Sequence, residues 1–483
     1  MVYLIDNEKN QKEETFLELQ TENKFYNKKP RTLDDILTEL DKGSKRLNLT
    51  KKRVFFSYRW LYSLFILPVI LLVFMAFRTQ KPLKITNITV DYLWSVQTLG
   101  PVFATPAIAD IDNDGKNDVI IASTDGKLYV FDGPTGKRIW RFETEEPFIS
   151  SPVVLRQKYN NKILIAGQDR RLYMLNNKSK CLWATIPQYF NSTAISTPVI
   201  CKNKDRSSVV LAAEDGRVYS FDIKQGWLLW SSTGTKGKFF STPLVVSANN
   251  DSLYDFVVGS SEGILYCLDG FSGKKIWELN LNGPISASPI KLDKESIIAA
   301  DETGMIYTVE TATGKIINRI SCNSKIVSTP VIIKNYTKSL LIVPLKDGTV
   351  ISFTLPEFNR MWTFDSNFQD GFVSTPAVAD LNADKTDDII LTSRNGRCYF
   401  LDGRTGNELI SNLFLDNSIA ASPAIADINN DGDLDLIIAS ENGKVTALTI
   451  KTVPDKLAKR NSIIAGSFTE RVFSVNNGLF KIF

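Results

Sequence analysis

Residues 105–140 read TPAIADIDNDGKNDVIIASTDGKLYVFDGPTGKRIW, and this order of features returns along most of the chain. A Ser/Thr-Pro pair opens each repeat, and successive prolines stand 41 to 47 residues apart. A period of this length is typical of solenoids and propellers. The eight prolines are Pro106, Pro152, Pro198, Pro243, Pro289, Pro330, Pro376 and Pro423.

Each repeat contains four short apolar segments separated by turn signals, such as Asp125-Gly126 between two of them. Four strands cannot bury both of their faces alone, but units stacked around an axis can. We therefore predict an all-β fold, an eight-bladed β-propeller with four-stranded blades, over residues 91–452. A parallel β-helix has shorter coils, and a βαβ solenoid would need a helical period that no repeat shows.

A tryptophan closes most repeats, four residues after the glycine of a turn such as Thr135-Gly136. Asn318 and Ile410 fill this place in the fifth and seventh repeats. Because the position recurs around the ring, we interpret the tryptophans as structural wedges between blades. They are Trp94, Trp140, Trp183, Trp230, Trp277 and Trp362.

The eighth repeat lacks a tryptophan strand of its own. Trp94 stands twelve residues before Pro106, as Trp140 stands twelve before Pro152. We therefore predict that residues 91–97 complete the last blade and remove a free sheet edge. The C-terminal tail, residues 453–483, has no predicted place in the blades.

Acidic segments follow the first strand in three repeats. The spacing DxDxDGxxD offers oxygens at positions 1, 3, 5 and 9, a carbonyl at position 7, and a glycine for the sharp bend, as Ca²⁺ loops require. In the seventh repeat Lys385 replaces that glycine. We predict structural calcium here; polar turns that bind nothing are the alternative. The candidate ligands are Asp110, Asp112, Asp114, Lys116 and Asp118; Asp427, Asn429, Asp431, Asp433 and Asp435; and Asp380, Asn382, Asp384 and Asp388.

Residues 60–77 form an uncharged apolar run of 18 residues, long enough to predict a transmembrane signal anchor. Residues 42–59 carry seven Lys/Arg and no acid, whereas residues 78–99 carry three basic residues. The positive-inside rule then predicts a single-pass cell-membrane protein with a cytoplasmic N-terminus and a periplasmic or extracellular propeller.

The polar arm, residues 1–59, is predicted to be largely disordered, and residues 78–90 are predicted to be a linker. Within the arm, Leu33–Leu40 places apolar residues on one helical face. This short helix is a candidate docking site for a cytoplasmic partner. A turn that touches only the membrane surface fits the same residues.

The composition excludes several function classes. The chain has no histidine, which excludes His-based acid–base catalysis and His-ligated metals. The five cysteines show no CxxC spacing. A net charge of +4 without a basic aromatic stripe predicts no nucleic-acid partner.

The repeat pattern STP…DGxxYxxDxxTGxxxW resembles the tryptophan-docked repeats of quinoprotein-type (PQQ-like) eight-bladed propellers. Residues 109–123 and 426–440 also resemble the FG-GAP repeats of integrin-α-like propellers. Quinoprotein dehydrogenases carry a vicinal cysteine pair beside the cofactor, and no two cysteines are adjacent here. The resemblance therefore implies no bound PQQ. Its non-catalytic relatives include periplasmic assembly scaffolds, which are lipoproteins, and eukaryotic single-pass FG-GAP proteins.

We expect a non-enzymatic, membrane-anchored propeller that binds or scaffolds a protein or glycan partner. Two alternatives stay open at this point. One is a PQQ-like oxidoreductase, and the other is a sensor that signals through the cytoplasmic arm. The fold alone does not choose among them, because propellers host many functions.

Overall fold

The fold is described from a computed structural model, which covers residues 86–157, 160–193, 196–202, 207–249, 254–334, 338–368, 371–415 and 418–454. The predicted cytoplasmic arm, the predicted span at residues 60–77 and residues 455–483 lie outside the described residues. Within the described ranges, no helix is long and apolar enough to cross a membrane.

The strands of the described residues form eight antiparallel sheets of four strands, one sheet per repeat. The predicted all-β, eight-bladed propeller is thus confirmed. Blades one to four contain β2 (Ala107–Ala109), β3 (Asp118–Ala122), β4 (Lys127–Phe131) and β5 (Arg138–Glu143); β6 (Val153–Leu155), β7 (Lys162–Gly167), β8 (Arg171–Leu175) and β9 (Cys181–Ala184); β10 (Val199–Lys202), β11 (Ser207–Ala212), β12 (Val218–Asp222) and β13 (Leu228–Ser231); and β14 (Leu244–Val246), β15 (Asp255–Gly259), β16 (Ile264–Leu268) and β17 (Lys275–Asn280).

The remaining four blades follow the same order, except that the last takes its outer strand from the start of the chain. A short 3₁₀ turn, Pro187–Tyr189, follows β9. Blades five to eight contain β18 (Ile290–Lys291), β19 (Ser296–Ala300), β20 (Met305–Glu310) and β21 (Ile316–Ser321); β22 (Val331–Lys334), β23 (Ser339–Pro344), β24 (Thr349–Leu355) and β25 (Arg360–Asp365); β26 (Ala377–Ala379), β27 (Asp388–Thr392), β28 (Arg397–Leu401) and β29 (Glu408–Phe414); and β30 (Ala424–Ala426), β31 (Leu434–Ala439), β32 (Lys444–Pro454) and β1 (Thr86–Gln97).

The first strand of each blade lies innermost, since β2 contacts the first strands of both neighbouring blades, β6 and β30. At four of the eight junctions of the described residues, the Ser/Thr before one proline donates its backbone N–H to the hydroxyl of the Ser/Thr before the next proline. The N–H of Thr105 donates to Ser151 Oγ of the next blade (3.0 Å), and Thr242 donates in the same way to Ser288 Oγ (2.9 Å). The recurring Ser/Thr-Pro pair is thus a hydrogen-bond link between blades.

The second strand of each blade is buried on both faces, as every residue of β3 shows. This explains why these segments are continuous apolar runs without polar alternation. Apolar clusters form between neighbouring blades, so that Ile120 of blade one and Ile163 of blade two share one cluster. The core is therefore distributed around the ring.

The tryptophans dock each blade on the next one. Five indoles lie against a positive-φ glycine in the turn between the third and fourth strands of the next blade, where a Cβ would come within 2.4–2.6 Å of the ring. Each Nε1–H of the six donates to a carbonyl of such a turn at 2.6–3.2 Å. The donor–acceptor pairs are Trp94–Gly133, Trp140–Asn177, Trp183–Ile223, Trp230–Gly270, Trp277–Thr311 and Trp362–Gly403.

Two junctions lack a tryptophan for identifiable reasons. In blade six, Phe358 takes the place of the turn glycine, with φ 57°, and its side chain packs among residues of blade five. Phe358 thus belongs to the apolar cluster that blades five and six share, and blade five has Asn318 at the position of the tryptophan. Blade eight has no turn between its third and fourth strands, because these strands come from opposite ends of the described chain. At this junction Ile410 of blade seven packs with Ile88 of β1 instead.

The ring closes by antiparallel pairing of β1 with β32, from Thr86↔Pro454 to Gln97↔Lys444. The pairing predicted for residues 91–97 is present, with a β-bulge between Tyr92 and Trp94. The predicted start of the propeller at residue 91 was too late. Strand β32 continues past its pairing with β31, and β1 follows it from Thr86 as a two-stranded ribbon.

A glycine substitution can test tryptophan docking. Gly273→Ala combines left-handed backbone strain with a Cβ placed 2.4 Å from the Trp230 ring, whereas Gly234→Ala has the same kind of strain but no atom nearer than 3.9 Å. We expect Gly234→Ala to lower the free energy of unfolding by about 1–2 kcal/mol and Gly273→Ala by about 3 kcal/mol or more, because the clash adds to the strain, measured by urea denaturation. Equal losses would contradict interblade docking by Trp230.

Candidate functional site

The acidic segments connect the first and second strands of blades one, seven and eight, which are neighbours in the ring. We call this side of the ring the acidic-loop face. The hairpins that connect the second and third strands lie at the other end of each blade. We call that side of the ring the hairpin face. Strand β1 begins and β32 ends on the acidic-loop face. The hairpin face therefore carries no chain end of the described residues.

The blade-one loop is folded around its own carboxylates. Asp110 accepts the N–H groups of Asn113 (2.7 Å) and Gly115 (3.1 Å), and these two residues have φ 66° and 90°. Oxygens of Asp110, Asp112 and Asp118 lie within 4.8 Å of one another. Three convergent carboxylates at this spacing are chemically suited to a hard divalent cation.

Burial opposes negative charge in this loop. Asp118 is 1% exposed, and burial raises its pKa to about 7, with the neighbouring Asp112 adding to the rise. Burial also raises the pKa of Asp112, with contributions from Asp114, Asp110 and Asp132. A cation among these groups would favour their ionised forms.

The blade-eight loop repeats the backbone hydrogen bonds of the blade-one loop, but among the described residues only the blade-one carboxylates meet within 4.8 Å. Asp427 accepts the N–H groups of Asn430 (2.6 Å) and Gly432 (3.0 Å), and burial raises the pKa of Asp435. Asp435 pairs across the strands with Thr449, whose hydroxyl counteracts part of this pKa rise as a hydrogen-bond donor. The Asn429 amide donates to Asp431 (3.0 Å).

The blade-seven loop is buried and satisfied by the protein itself. Asn382 and Asp384 are buried, and Lys385 takes the glycine position at φ 68°. Asp388 accepts two backbone N–H groups, from Leu381 on Oδ2 and Gly403 on Oδ1. The Thr452 hydroxyl of the closing ribbon donates to the Leu381 carbonyl, which ties the ribbon to this loop.

The remaining predicted ligands lie at expected turn positions. Asp380 accepts the N–H groups of Asp384 and Lys385 in blade seven. In blades one and eight, the seventh-position residues Lys116 and Asp433 donate their N–H groups to Asp114 and Asp431 (2.8 and 2.9 Å).

Sequence analysis missed a related loop in blade four. Its second strand starts with the buried Asp255, whose Oδ2 accepts the N–H of Ala248 and whose Oδ1 accepts that of Gly270. The Asn249 amide also donates to Asp255 and Asp269. The aspartate at the ninth position was the signal in the sequence. The first, third and fifth positions, however, are Ser247, Asn249 and Asp251, and they depart from the acidic pattern.

The two faces differ in their apolar exposure. Five of the exposed large apolar side chains lie in segments that lead from one blade to the next at the hairpin face. They are Leu99 (80% exposed), Ile186 (48%), Phe240 (40%), Phe368 (39%) and Phe103 (38%). Two others, Trp227 and Phe271, lie in turns of the acidic-loop face, and the remaining five lie on outer strands. Of the two faces, the hairpin face exposes the larger number of apolar side chains, as macromolecular contact surfaces do.

The thiols offer no reactive group among the described residues. Cys201, Cys267, Cys322 and Cys398 are buried and free, and Cys181 is partly buried and also free. Burial raises the pKa of the Cys201 and Cys322 thiols to about 12. Such cysteines behave as small apolar residues.

Eight four-stranded blades, six of which dock on the next blade through a tryptophan, define the class of the molecule as an eight-bladed, tryptophan-docked β-propeller. The PQQ_2 family, described as outer membrane protein assembly factor BamB, matches residues 91–254, 124–291 and 261–453, about three quarters of the chain. The chain belongs to this family.

Solved structures share the fold. BamB from Moraxella catarrhalis has a TM-score of 0.55 and 17% identity, over 74% of this chain and 97% of that chain. The computationally designed Ika8 protein has 0.58 and 16%, over 74% and 99%. Sqt1 from Saccharomyces cerevisiae has 0.57 and 15%, over 76% and 100%. No curated protein matches the chain at a significant level. At this identity the likeness shows the fold alone.

The strained Lys385 gives a test of the blade-seven loop. Lys385→Gly should raise the free energy of unfolding by about 0.5–1 kcal/mol, because glycine adopts φ 68° without the Cβ clash. Lys116→Gly, at the next position of the blade-one loop, should lower it by about 0.5–1 kcal/mol. Denaturant unfolding checks both variants, and an equal loss in the two would refute the strain at Lys385.

Proposed function

We propose that this chain is a non-catalytic propeller that binds or scaffolds a protein partner through its hairpin face. The apolar side chains exposed on that face, away from both ends of the described chain, carry the proposal. The family description, an outer membrane protein assembly factor, supports a protein as the partner. Protein interfaces place apolar anchors such as these at their centre.

A non-catalytic role agrees with the chemistry that the chain offers. It has no histidine and no adjacent cysteines, and the described cysteines are free, with four of the five buried. The raised thiol pKa values of Cys201 and Cys322 make these groups poor nucleophiles. These features favour a binding module over a quinone-dependent oxidoreductase.

We further propose that residues 60–77 anchor the chain in a membrane, with the propeller outside the cytoplasm. The length of the uncharged run and the basic residues before it support this topology. Contact of Leu33–Leu40 with a cytoplasmic partner and binding of a glycan by the propeller stay predictions.

Paired surface variants test the partner face. The full chain would be purified in detergent from its own membranes, as wild type, as Leu99→Ser/Phe240→Ser, and as the control Trp227→Ser. Trp227 is 67% exposed and lies in a turn on the acidic-loop face. We expect the double variant to lose a co-purifying protein that wild type and control retain, with unchanged melting temperatures. Loss in the control alone would place the partner on the other face and contradict the proposal.

We also propose that the acidic loops bind calcium in a structural role, similar to that of FG-GAP loops. In blade one, Asp110, Asp112 and Asp118 would hold the ion, and in blade eight Asp427, Asp431 and Asp435 would do so. The close carboxylates of blade one support its donor set, and the matching sequence spacing in blade eight supports the second one. A bound cation would offset the mutual repulsion and the burial of these groups.

Chelation tests the calcium proposal. If calcium binds the folded chain only, it stabilises by mass action, by about 2.7 kcal/mol at a hundredfold excess over its dissociation constant. A chelator should therefore lower the melting temperature of the full chain, and magnesium should restore little, because it demands stricter coordination geometry. An unchanged melt, with no bound calcium by metal analysis, would favour metal-free polar turns.

A further inference from the structure

We infer that the outer turns of blades three and four dock on the surface of a phospholipid bilayer, with the side chains of Trp227 and Phe271 in its interfacial layer. This inference rests on the membrane anchor proposed above. It adds which face of the propeller lies against the lipid and which side chains make the contact.

The two aromatic side chains depart from the pattern of the turns between third and fourth strands. Three residues before Lys274, blade four has Phe271, where the other six turns have proline, asparagine, alanine or a basic residue. The residue directly before the fourth strand is exposed in all seven blades with such a turn, and blade three has Trp227 there. The corresponding residues of the other six blades are Lys137, Lys180, Lys274, Lys315, Asn359 and Asn407. Folding does not require aromatic residues at these positions, so the two rings indicate an external contact.

Both rings are held at the surface on neighbouring blades. Trp227 is 67% exposed and Phe271 is 60% exposed. The Trp230 indole of blade three donates to the Gly270 carbonyl in the blade-four turn (3.0 Å), and this bond holds the Phe271 turn against blade three. Exposed aromatic rings on well-held turns suit the interface of a bilayer, where the rings sit at the level of the headgroups.

Lysines accompany the aromatic rings. Lys224 and Lys274 lie in the same two turns, and Lys178 and Lys180 lie in the corresponding turn of blade two. All four are exposed, and no salt bridge within the described ranges engages them. The two aspartates of the aromatic turns accept N–H groups of the turns themselves. This combination of rings and lysines matches a phospholipid surface, because its anionic headgroups attract lysine and its interface accepts aromatic rings.

The acidic loops do not occupy this part of the face. They belong to blades seven, eight and one, and they join the two inner strands of each blade. The turns of Trp227 and Phe271 join the two outer strands of blades three and four. The face is thus divided into an acidic sector and a sector that combines lysines with aromatic rings.

The chain connection keeps the same face near the membrane. Residues 78–85 separate the proposed membrane segment from Thr86, where β1 begins on the acidic-loop face. A segment of this length reaches at most about 30 Å. Strand β1 belongs to blade eight, and blade four lies opposite blade eight in the ring. The anchor and the aromatic turns therefore hold this face at two opposite points, which leaves the hairpin face accessible to a partner.

Quenching of tryptophan fluorescence by brominated lipid tests the contact. The full chain would be reconstituted into vesicles of phosphatidylcholine and phosphatidylserine, with the phosphatidylcholine acyl chains either brominated or unmodified. Subtracting the signal of Trp227→Phe from that of wild type isolates Trp227 from the other seven tryptophans. We expect brominated lipid to reduce this difference signal to less than about half, because an indole in the interface contacts the acyl chains. An unquenched Trp227 would overturn the inference.

Variants measured in the same way, each with its own Trp227→Phe subtraction, test the neighbouring groups. Phe271→Ala/Lys274→Gln should reduce the quenching of Trp227 by at least about half, and so should omission of phosphatidylserine. The control is Ile317→Ser, because Ile317 is 61% exposed on an outer strand of blade five and should not affect the quenching. Equal quenching in all variants and lipids would contradict docking through these turns.

An alkaline carbonate wash of the same vesicles separates this inference from the anchor. A chain that stays in the vesicles with Trp227 unquenched would overturn the lipid contact alone. A chain that the wash releases, although Trp227 was quenched before it, would overturn the anchor and leave the lipid contact intact. An unquenched Trp227, together with a co-purifying protein that only Trp227→Ser loses, would assign this face to a protein instead.

Discussion

The pairing of β1 with β32 is the interaction on which the rest of the ring depends. Every other blade is built from one continuous segment, but blade eight exists only when the two ends of the described chain meet. Trp94 can dock on blade one only after this pairing, and its indole N–H then bonds to Gly133. All eight inter-blade junctions exist only once the ring is closed. This explains why the closing strands extend past the sheet and bury Ile88.

Much of the fold followed from the sequence because each repeat encodes a local unit. The Ser/Thr-Pro pairs, hairpin glycines and tryptophans gave the number of blades, and the spacing of Trp94 to Pro106 gave the closure. The exact start at Thr86 did not follow, because residues 86–90 pair only with the far end of the chain. Asn318 replaces the tryptophan in blade five, and Phe358 replaces the turn glycine in blade six, so this exchange involves two blades. A pattern read within one repeat does not contain it.

The acidic loops show where the sequence stops being informative about a site. The spacing predicted loops in blades one, seven and eight, and those segments form similar turns. The sequence could not show that Asp388 uses both oxygens, because the second donor, Gly403, comes from a different turn of the blade. It also could not show that the closing ribbon contacts the blade-seven loop through Thr452. Whether a carboxylate oxygen is free to bind a ligand depends on these tertiary hydrogen bonds.

The closure also sets an order of events during synthesis. Trp94 and its partner Ala447 are about 350 residues apart, and joining such distant segments costs about 5 kcal/mol of chain entropy. At ordinary translation rates, β1 emerges roughly tens of seconds before β32 exists. During that interval a twelve-residue strand has no sheet partner and exposes a free edge to other chains. The free edge of β1 is thus an aggregation hazard during synthesis, and a chaperone that covers this strand would reduce it.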